Sequence, residues 1–275
     1  MIRPSRGGRA VRLSLIILLA AFALFPLLWM VSVSFMSPGE ASRFPPPLLP
    51  EAPSLSAYRA LFETTGIARY FLNSLFVATI GTLLSLMFNA TAGYAFAKLR
   101  FKGRDRIFQL LVAALVIPGQ VTMLPLFLML KEIGLINSFA GVLVPVATSI
   151  FGIFLVRQYA LSIPDEMLEA ARVDGAGEGR IFLQIVVPVL TPILITLALF
   201  TFLATWNDFM WPLIILTDQD NYTLPVALAA LSREHVQDNE LMMAGSVLTI
   251  LPVLLLFLVL QRYYLQGLLA GSVKG

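Results

Sequence analysis

Six long runs of apolar residues contain no Asp, Glu, Lys or Arg, and they constrain the fold more than any other feature. A helix needs about 20 residues to cross the hydrocarbon core of a bilayer, and each run is close to that length or longer. The runs cover residues 13–35, 71–97, 107–130, 138–156, 183–205 and 241–261. Charged residues make up only 13% of the chain, against roughly 25% in soluble domains. These features predict an all-α polytopic membrane protein with six transmembrane helices, and residues 1–275 are interpreted as a single transmembrane domain.

The basic residues are distributed unevenly between the segments that connect these runs. Fourteen of the 19 Lys and Arg residues fall in the N-terminal stretch, the 98–106 and 157–182 segments and the C-terminal tail. The other five lie in segments predicted on the opposite side of the membrane. By the positive-inside rule, we expect both termini and the 157–182 segment to be cytoplasmic in a multi-pass protein of the cell membrane. The first run is too long for a cleaved signal peptide and is interpreted as a retained anchor.

Several kinds of chemistry lack the residues that they need. The chain contains no cysteine and one histidine, His235, so we expect no thiolate chemistry and no metal site. A nucleotide-binding P-loop needs Lys followed by Ser or Thr, and none of the four lysines meets that condition. Ion-coupled transporters usually keep an ionisable residue inside the membrane, and the six runs contain none. We therefore expect no catalytic site, no cofactor and no nucleotide site in this chain.

The connecting segment 157–182 is charged and rich in glycine, yet its first half has the pattern of a short helix. Residues 162–165, Ser-Ile-Pro-Asp, have the form of a capping box with a proline in the first turn, and Gly175 suits the position after a helix end. Such a helix is too short and too charged to cross a membrane. Ala170 and Ala171 lack bulk and would allow another surface to approach closely. The residues alone leave two alternatives open, a docking helix for a partner or a solvated helix in a loop.

A spaced motif in the same segment carries a family resemblance. It consists of Glu-Ala-Ala, three residues, Gly, nine residues, Ile, two residues and Pro, and it is met by Glu169, Ala170, Ala171, Gly175, Ile185 and Pro188. In this motif the chain resembles the membrane subunits of binding-protein-dependent ATP-binding-cassette (ABC) importers. The resemblance implies that residues 170–175, Asp174 included, belong to a coupling helix that sits in a cleft of the ATPase subunit. It also implies that Glu169 pairs with a basic residue of that ATPase.

Four longer stretches narrow the resemblance. They are GYAFAKLRFKGR (93–104), IPDEMLEAARVDGA (163–176), WNDFMWPLIILTDQDNYTLPVALA (206–229) and GLLAGSVKG (267–275). They resemble the second permease of carbohydrate importers of the maltose-transporter type, over nearly the whole chain after the first run. The resemblance implies a type I ABC importer permease fold in a bacterial or archaeal inner membrane. The implied partners are a second permease, an ABC ATPase dimer, an extracytoplasmic solute-binding protein and the lipid bilayer, without nucleic acid.

The resemblance implies a permease that, with its partner, forms the pathway for a sugar and is driven by ATP hydrolysis on a separate subunit. Two alternatives stay open. Import of glycerol phosphate or a polyol would use a similar permease, although a phosphate would favour basic residues near the pathway and the six runs contain none. The second alternative is a membrane scaffold that recruits an ATPase without transporting a solute.

Candidate solute contacts lie after the fifth run and within two other runs. Aromatic rings stack on the apolar faces of sugars, while Asn, Gln and Asp side chains bond to hydroxyl groups. The candidates for the substrate pathway are Trp206, Asn207, Asp208, Trp211, Gln120 and Asn89. Each has an alternative interpretation: an aromatic belt at the membrane interface for the cluster after the fifth run, a packing kink around Gln120, and a helix–helix hydrogen bond for Asn89.

The segment that follows the cluster after the fifth run is the candidate contact with the binding protein. In relatives of the maltose type, this loop reaches into the binding protein. By that resemblance, residues 217–238 of this chain are expected to contact it. The residues singled out are Asp218, Asp220, Asn221 and Tyr222.

Overall fold

The computed structural model describes the backbone of residues 6–234 and 238–270 and the side chains of residues 12–233 and 238–259. Within that part of the chain there are thirteen α-helices and no strand. The helices are α1 (Arg6–Val33), α2 (Ser56–Thr64), α3 (Ile67–Lys98), α4 (Arg104–Ala113), α5 (Gly119–Glu132), α6 (Phe139–Leu143), α7 (Ile150–Ala160), α8 (Asp165–Val173), α9 (Glu178–Ile181), α10 (Val187–Trp206), α11 (Met210–Ile215), α12 (Leu224–Glu234) and α13 (Asn239–Ala270). The predicted all-α fold is confirmed.

Four stretches of helix are long and apolar enough to cross a membrane by length and composition. They cover Arg12–Val33, Ile67–Lys98, Glu178–Trp206 and Asn239–Val259. The third stretch joins α9 to α10 through a π-helical turn, Phe182–Val186. These stretches overlap the first, second, fifth and sixth predicted spans.

The third predicted span, residues 107–130, is not one continuous helix. Helix α4, extended by a 3-10 turn that ends at Val116, meets α5 at an angle of 107°. The break falls at Ile117 and Pro118, both of which have extended backbone conformations. Proline disfavours helical geometry in the residue before it and lacks a backbone N–H, which accounts for the break. The bent pair together has the length and composition of one broken span.

The fourth predicted span, residues 138–156, is also not one continuous helix. It is divided into α6 and α7, and the turn between them contains Pro145. Ser149 is the N-cap of α7, where its hydroxyl accepts a hydrogen bond from the backbone N–H of Gly152 at 2.9 Å. Serine is favoured at this position because its side chain satisfies a backbone donor that has no partner inside the helix. The described residues therefore provide four continuous spans, or five if the bent pair counts as one.

The chain divides into two compact units, and the first contains residues 1–68 and 227–252. Two buried carboxylates organise the segment that follows α1. Glu40 accepts hydrogen bonds from the backbone N–H groups of Glu51 at 2.7 Å and Ser37 at 2.9 Å, and these bonds lower the pKa of its carboxyl group. Glu240 accepts a hydrogen bond from the N–H of Ala41 at 2.8 Å. Because a buried charge needs such partners, these bonds hold the segment in a defined conformation.

The second unit contains residues 69–226 and 253–275. One apolar cluster in this unit packs α3, α7, α8 and α10 together. It includes Tyr94, Val156, Leu168 and Leu190, which are at most 4% exposed. Since Leu168 is the one buried side chain of α8, the hydrophobic effect holds this helix against the bundle at a single point. The single domain expected over the whole chain stays a prediction.

Candidate functional site

Helix α8 lies in the segment that carries the spaced motif. It follows Pro164, whose backbone is extended, and its first turn contains two acidic residues. Carboxylates in the first turn are stabilised by the positive end of the helix dipole. The predicted capping box is wrong, because the hydroxyl of Ser162 donates a hydrogen bond back to the carbonyl of Tyr159 at 2.7 Å, and no side chain caps the helix.

Gly175 ends α8 as predicted. Its φ of +82° lies in the left-handed region that favours glycine, and its N–H donates to the carbonyl of Arg172 at 3.0 Å. The N–H of Ala176 donates to the carbonyl of Ala171 at 2.9 Å. These two hydrogen bonds form the Schellman arrangement, which satisfies carbonyls that have no partner inside the helix. The motif glycine therefore defines where α8 stops and the chain turns towards α9.

The side chains of α8 differ in exposure. Leu168 is buried, and Ala171 beside it is half-buried. Glu169 and Ala170 are exposed, and Val173 is 88% exposed. Residues three apart on a helix are neighbours on its surface, so Ala170 and Val173 form a small apolar stripe. Sequence reasoning missed Val173, and the available signal was its position one turn after Ala170.

The remaining motif residues extend from the end of α8 to α10. Asp174 and Gly175 are exposed. Ile185 is half-buried in the π-helical turn and packs against the cluster that contains Leu168. Pro188 is exposed in the first turn of α10. The structure therefore presents the first part of the motif on a surface and uses Ile185 for packing.

Lys98, the last residue of α3, holds the start of α8. Its ammonium group donates hydrogen bonds to the carbonyl of Ile163 and to the carboxylate of Asp165, both at 2.6 Å. The Lys98 side chain is 7% exposed, whereas that of Asp165 is 72% exposed. The hydrogen bond and the charge of Lys98 lower the pKa of the Asp165 carboxyl. Nothing in the sequence signalled this contact, because the two residues are 67 positions apart.

A second set of contacts holds the end of α8. Arg172 donates from Nε to one carboxylate oxygen of Glu178 at 2.7 Å, and the Tyr94 hydroxyl donates to the other oxygen at 3.0 Å. Tyr94 is buried and lies one helical turn before Lys98 on α3. Charge-assisted hydrogen bonds of this kind are stronger than those between neutral groups. Both ends of α8 are therefore connected to the same turn of α3.

The aromatic residues predicted as solute contacts are used in packing. Trp206 is 1% exposed, and its ring stacks on Phe202 with the ring centroids 5.9 Å apart. Trp211 is 4% exposed, and its indole N–H donates a hydrogen bond to the carbonyl of Gly141 at 3.2 Å. Asn207 is exposed, and its amide donates back to its own helix at 2.8 Å.

Asn89 is completely buried, and its amide group bonds inside the protein. The amide oxygen accepts hydrogen bonds from the N–H of Ser149 at 3.0 Å and the hydroxyl of Thr148 at 3.3 Å. The amide nitrogen donates to the hydroxyl of Ser85 at 2.7 Å. Gln120 is exposed near the start of α5. Neither Asn89 nor Gln120 lines the cavity beside Asp208, and a pathway role for both stays a prediction.

Among the predicted solute contacts, Asp208 lines a cavity of about 320 Å³. The other lining residues include Ser85, Ser149, Thr201, Phe151 and Phe200. Burial raises the pKa of the Asp208 carboxyl, while a hydrogen bond of 3.4 Å from the N–H of Trp211 acts in the opposite direction. The lining combines a carboxylate, hydroxyl groups and aromatic rings, which are the groups that bind polyhydroxylated solutes.

The loop predicted to contact the binding protein is held by two asparagines outside it. Asn137 has a φ of +56°, and its side-chain oxygen accepts hydrogen bonds from the N–H groups of residues 217–218 at 3.1 and 3.0 Å. Asn73 donates hydrogen bonds to the carbonyls of Asp220 and Tyr222, both at 3.0 Å. Neither of these contacts was predicted from the sequence, because both asparagines are far from the loop along the chain.

The loop residues themselves differ in exposure. Asp218 and Asp220 are exposed, whereas Asn221 and Tyr222 are half-buried. Asp220 forms an exposed ion pair with Arg69 at 2.8 Å. Residues 235–237 of the predicted contact region lie outside the described residues.

Comparisons with known proteins identify the family. The family described as binding-protein-dependent transport system inner membrane component matches residues 81–269. The chain is 38% identical over 260 residues to the arabinooligosaccharides transport system permease protein AraQ of Halalkalibacterium halodurans, covering 94% of this chain and 93% of that protein. It is 33% identical over 268 residues to the lactose transport system permease protein LacG of Rhizobium radiobacter, covering 96% of each.

A solved structure agrees with this match. A chain in the crystal structure of a bacterial ABC transporter involved in the import of the acidic polysaccharide alginate has a TM-score of 0.85 and 26% identity. The superposition covers 96% of this chain and 100% of that chain. The family match includes α8, all the residues lining the Asp208 cavity and the loop that Asn137 holds. The chain belongs to the family of inner membrane components of binding-protein-dependent transport systems.

Proposed function

We propose that this chain is a permease subunit of an ABC importer and forms, with a second permease, the membrane pathway for a sugar. An extracytoplasmic binding protein delivers the sugar, and ATP hydrolysis on a separate ATPase dimer drives import. The observation that carries the proposal is the similarity, over nearly the whole chain, to permeases named for arabinooligosaccharide and lactose transport. Family membership supports the transport role, and the sugar class rests on those relatives.

The exposed side of α8 is proposed as the contact with the ATPase. Glu169 is exposed and supplies a negative charge for a basic residue of that partner. Ala170 and Val173 supply an apolar stripe, and the small side chain of Ala170 lets the walls of a groove approach the helix axis. Docking of a helix face in a groove is a common mode of recognition. Leu168 and the contacts at both ends of α8 leave this side available for a partner.

The cavity lined by Asp208 is proposed as part of the solute pathway. Its hydroxyl groups and aromatic rings suit a polyhydroxylated solute, and no Lys or Arg is among its lining residues. A phosphorylated solute would need a cation nearby. Removing water from an anion costs free energy unless a positively charged partner replaces that water. The cavity therefore favours a neutral carbohydrate over glycerol phosphate.

The orientation is part of the same proposal. The chain crosses the cell membrane several times, with both termini and α8 on the cytoplasmic side. The loop at residues 217–222 then faces the extracytoplasmic binding protein. The unequal distribution of Lys and Arg between the connecting segments supports this orientation.

Reconstitution tests the proposal. The chain, its partner permease and the ATPase dimer are placed in proteoliposomes with the cognate binding protein, and uptake of a radiolabelled oligosaccharide is measured. We expect uptake that requires ATP and every component. Calorimetry of the binding protein with oligosaccharides, glycerol phosphates and amino acids identifies the solute class. Tight binding only to glycerol phosphate would replace the sugar assignment, and ATPase recruitment without uptake of any solute would favour a scaffold.

A further inference from the structure

We infer that Tyr94 and Lys98 of α3 hold α8 at its two ends and transmit its movement to α3. We name this pair of residues, with their partners Asp165, Arg172 and Glu178, the α3 clamp. The inference rests on the proposed function, because it takes α8 as the contact with the ATPase. It adds the side chains through which a displacement of that contact reaches a membrane-spanning helix. In this role Tyr94 and Lys98 are positioning residues that determine how much import each hydrolysed ATP produces.

The first contact of the clamp holds the start of α8. The Lys98 ammonium donates to a backbone carbonyl in the preceding turn, that of Ile163, and to the carboxylate of Asp165, both at 2.6 Å. A lysine side chain is flexible, but here it is 7% exposed and has two acceptors in different parts of the turn. The contact therefore restricts the position of the turn as well as the position of the helix.

The second contact holds the end of α8 through a shared carboxylate. Glu178 accepts one hydrogen bond from Arg172, in the last turn of α8, and one from Tyr94, in α3. The Tyr94 ring is buried and lies against Phe182, with the ring centroids 5.5 Å apart. Because packing fixes the ring, the position of its hydroxyl is fixed as well. Glu178 therefore joins the surface helix α8 to a point inside the bundle.

The contacts at the two ends of α8 together prevent a rotation that either contact alone would allow. Helix α8 has nine residues and is about 13 Å long, and its buried side chain Leu168 alone would let it pivot. Contacts at both ends prevent that rotation. Tyr94 and Lys98 are one turn apart on a continuous helix. A displacement of α8 therefore moves α3 as one rigid unit. Helix α3 also contributes Ser85 to the cavity beside Asp208, so a single helix connects the two sites.

The test measures the number of ATP molecules hydrolysed per solute imported by the reconstituted complex. The variants are Tyr94→Phe, which removes one hydroxyl, and Lys98→Met, which removes the charged donor. We expect this ratio to rise about threefold in the first variant and about tenfold in the second, since hydrogen bonds to charged groups are strong enough to shift an equilibrium by such factors. ATP hydrolysis itself should persist in both variants.

Matched controls separate the clamp from general damage. Lys102→Met removes an exposed lysine four positions beyond Lys98, and Tyr159→Phe removes a hydroxyl from a tyrosine that packs against the same cluster. Neither should change the ratio. Lys98→Arg retains a charged donor and should recover much of the coupling that Lys98→Met loses. Co-purification of the ATPase reports assembly, and Tyr94→Phe keeps the ring and carries the test if Lys98→Met does not assemble.

The outcomes distinguish the clamp from the proposed function. A raised ratio in assembled clamp variants, with unchanged controls, supports the clamp. An unchanged ratio in both variants, in a preparation where the wild-type complex imports solute, overturns the clamp and leaves the proposed function standing. A wild-type complex that hydrolyses ATP but imports no solute overturns the proposed function and the clamp together, because there would be no coupling to transmit.

Discussion

The amide oxygen of Asn89 in α3 accepts a hydrogen bond from the backbone N–H of Ser149 at 3.0 Å, although the two residues are 60 positions apart. Ser149 lies where the fourth predicted span is broken, at the start of α7. Inside a membrane, a backbone polar group that water does not reach needs a partner within the protein. Asn89 supplies that partner and so allows the chain to turn between α6 and α7.

Replacement of this amide should destabilise the protein. We expect Asn89→Ala to lower the free energy of unfolding by about 1–3 kcal/mol, because the buried Asn89 side chain would lose its hydrogen bonds to Ser149 and Ser85. Thermal melting of the purified protein in detergent measures the effect. Asn207→Ala is the control, since Asn207 is exposed. Equal melting temperatures for both variants would contradict the role given to Asn89.

A methyl group at Gly152 should disturb the same contact. A Cβ atom at this position would lie 2.7 Å from both the side-chain nitrogen of Asn89 and the hydroxyl of Ser149. We expect Gly152→Ala to destabilise the protein by about 1–3 kcal/mol, the usual cost of overpacking. At Gly119 a Cβ atom would meet nothing within 4 Å, so Gly119→Ala is the control. Comparable melting of the two variants would show that Asn89 and Ser149 adapt.

Substitutions on the exposed side of α8 should uncouple ATP hydrolysis from transport. Glu169→Lys would remove a charge-assisted hydrogen bond at the proposed contact with the ATPase, a loss of roughly 1.5–3 kcal/mol. Val173→Glu adds a charge to the apolar stripe, and Gly175→Leu strains a left-handed position. We expect reduced uptake and reduced ATPase co-purification with normal membrane insertion. Glu132→Lys is the control for charge reversal, and wild-type uptake in all three variants would exclude α8 as the docking surface.

The proposed orientation can be mapped by thiol labelling, because the chain contains no cysteine. Single cysteines are introduced as Lys102→Cys and Val173→Cys on the expected cytoplasmic side, and as Glu51→Cys and Asp220→Cys on the other side. All four positions are exposed. An impermeant reagent added to intact cells should label only the second pair. Labelling at Val173→Cys from outside would reverse the orientation.

Asp208 should give uptake an acid-sensitive component. Burial raises the pKa of this carboxyl, so the folded chain takes up the proton at a pH where the unfolded chain has lost it. Lower pH therefore relieves the cost of burying the charge, but it also removes the carboxylate as a hydroxyl acceptor. We expect the KM for uptake to rise as the pH falls below neutral.

The variant Asp208→Asn tests this assignment. It should raise the KM at neutral pH and abolish the acid-sensitive component. Asp105→Asn replaces an exposed carboxylate outside the cavity and serves as the control. An unchanged pH profile in Asp208→Asn would remove Asp208 from the pathway.

Hydropathy predicted four of the long helices but not the two breaks, for a physical reason. Proline occurs at both breaks, yet it also occurs inside continuous helices, at Pro26, Pro125, Pro192 and Pro252. A proline can therefore stay within a helix or interrupt it. At the fourth run the turn is supported by Asn89, from a helix distant in sequence. A single sequence does not contain that pairing.

In the candidate site, too, some features were predicted from the sequence and others were not. Local chemistry predicted where α8 ends, because Gly175 needs no distant partner to adopt a positive φ. It also identified the motif on which the family assignment, now confirmed, depended. The predicted capping box failed, because the Ser162 hydroxyl bonds to the carbonyl of Tyr159 and the Asp165 carboxylate bonds to Lys98. Side chains from helices distant in sequence decide which partner such a residue bonds to. The contact of Tyr94 with Glu178 was missed for that reason.

The hydrogen bonds from residues 217–218 to Asn137 affect how fast a binding protein can associate with this loop. Ordering a backbone residue costs about 1–2 kcal/mol, and here folding has already met that cost. A binding protein that docks on this loop meets a preformed surface, so little of its contact energy is spent on ordering. The exposed carboxylate of Asp218 is then expected to act mainly on the association rate. Added salt should slow arrival at this surface and leave the lifetime of the complex nearly unchanged.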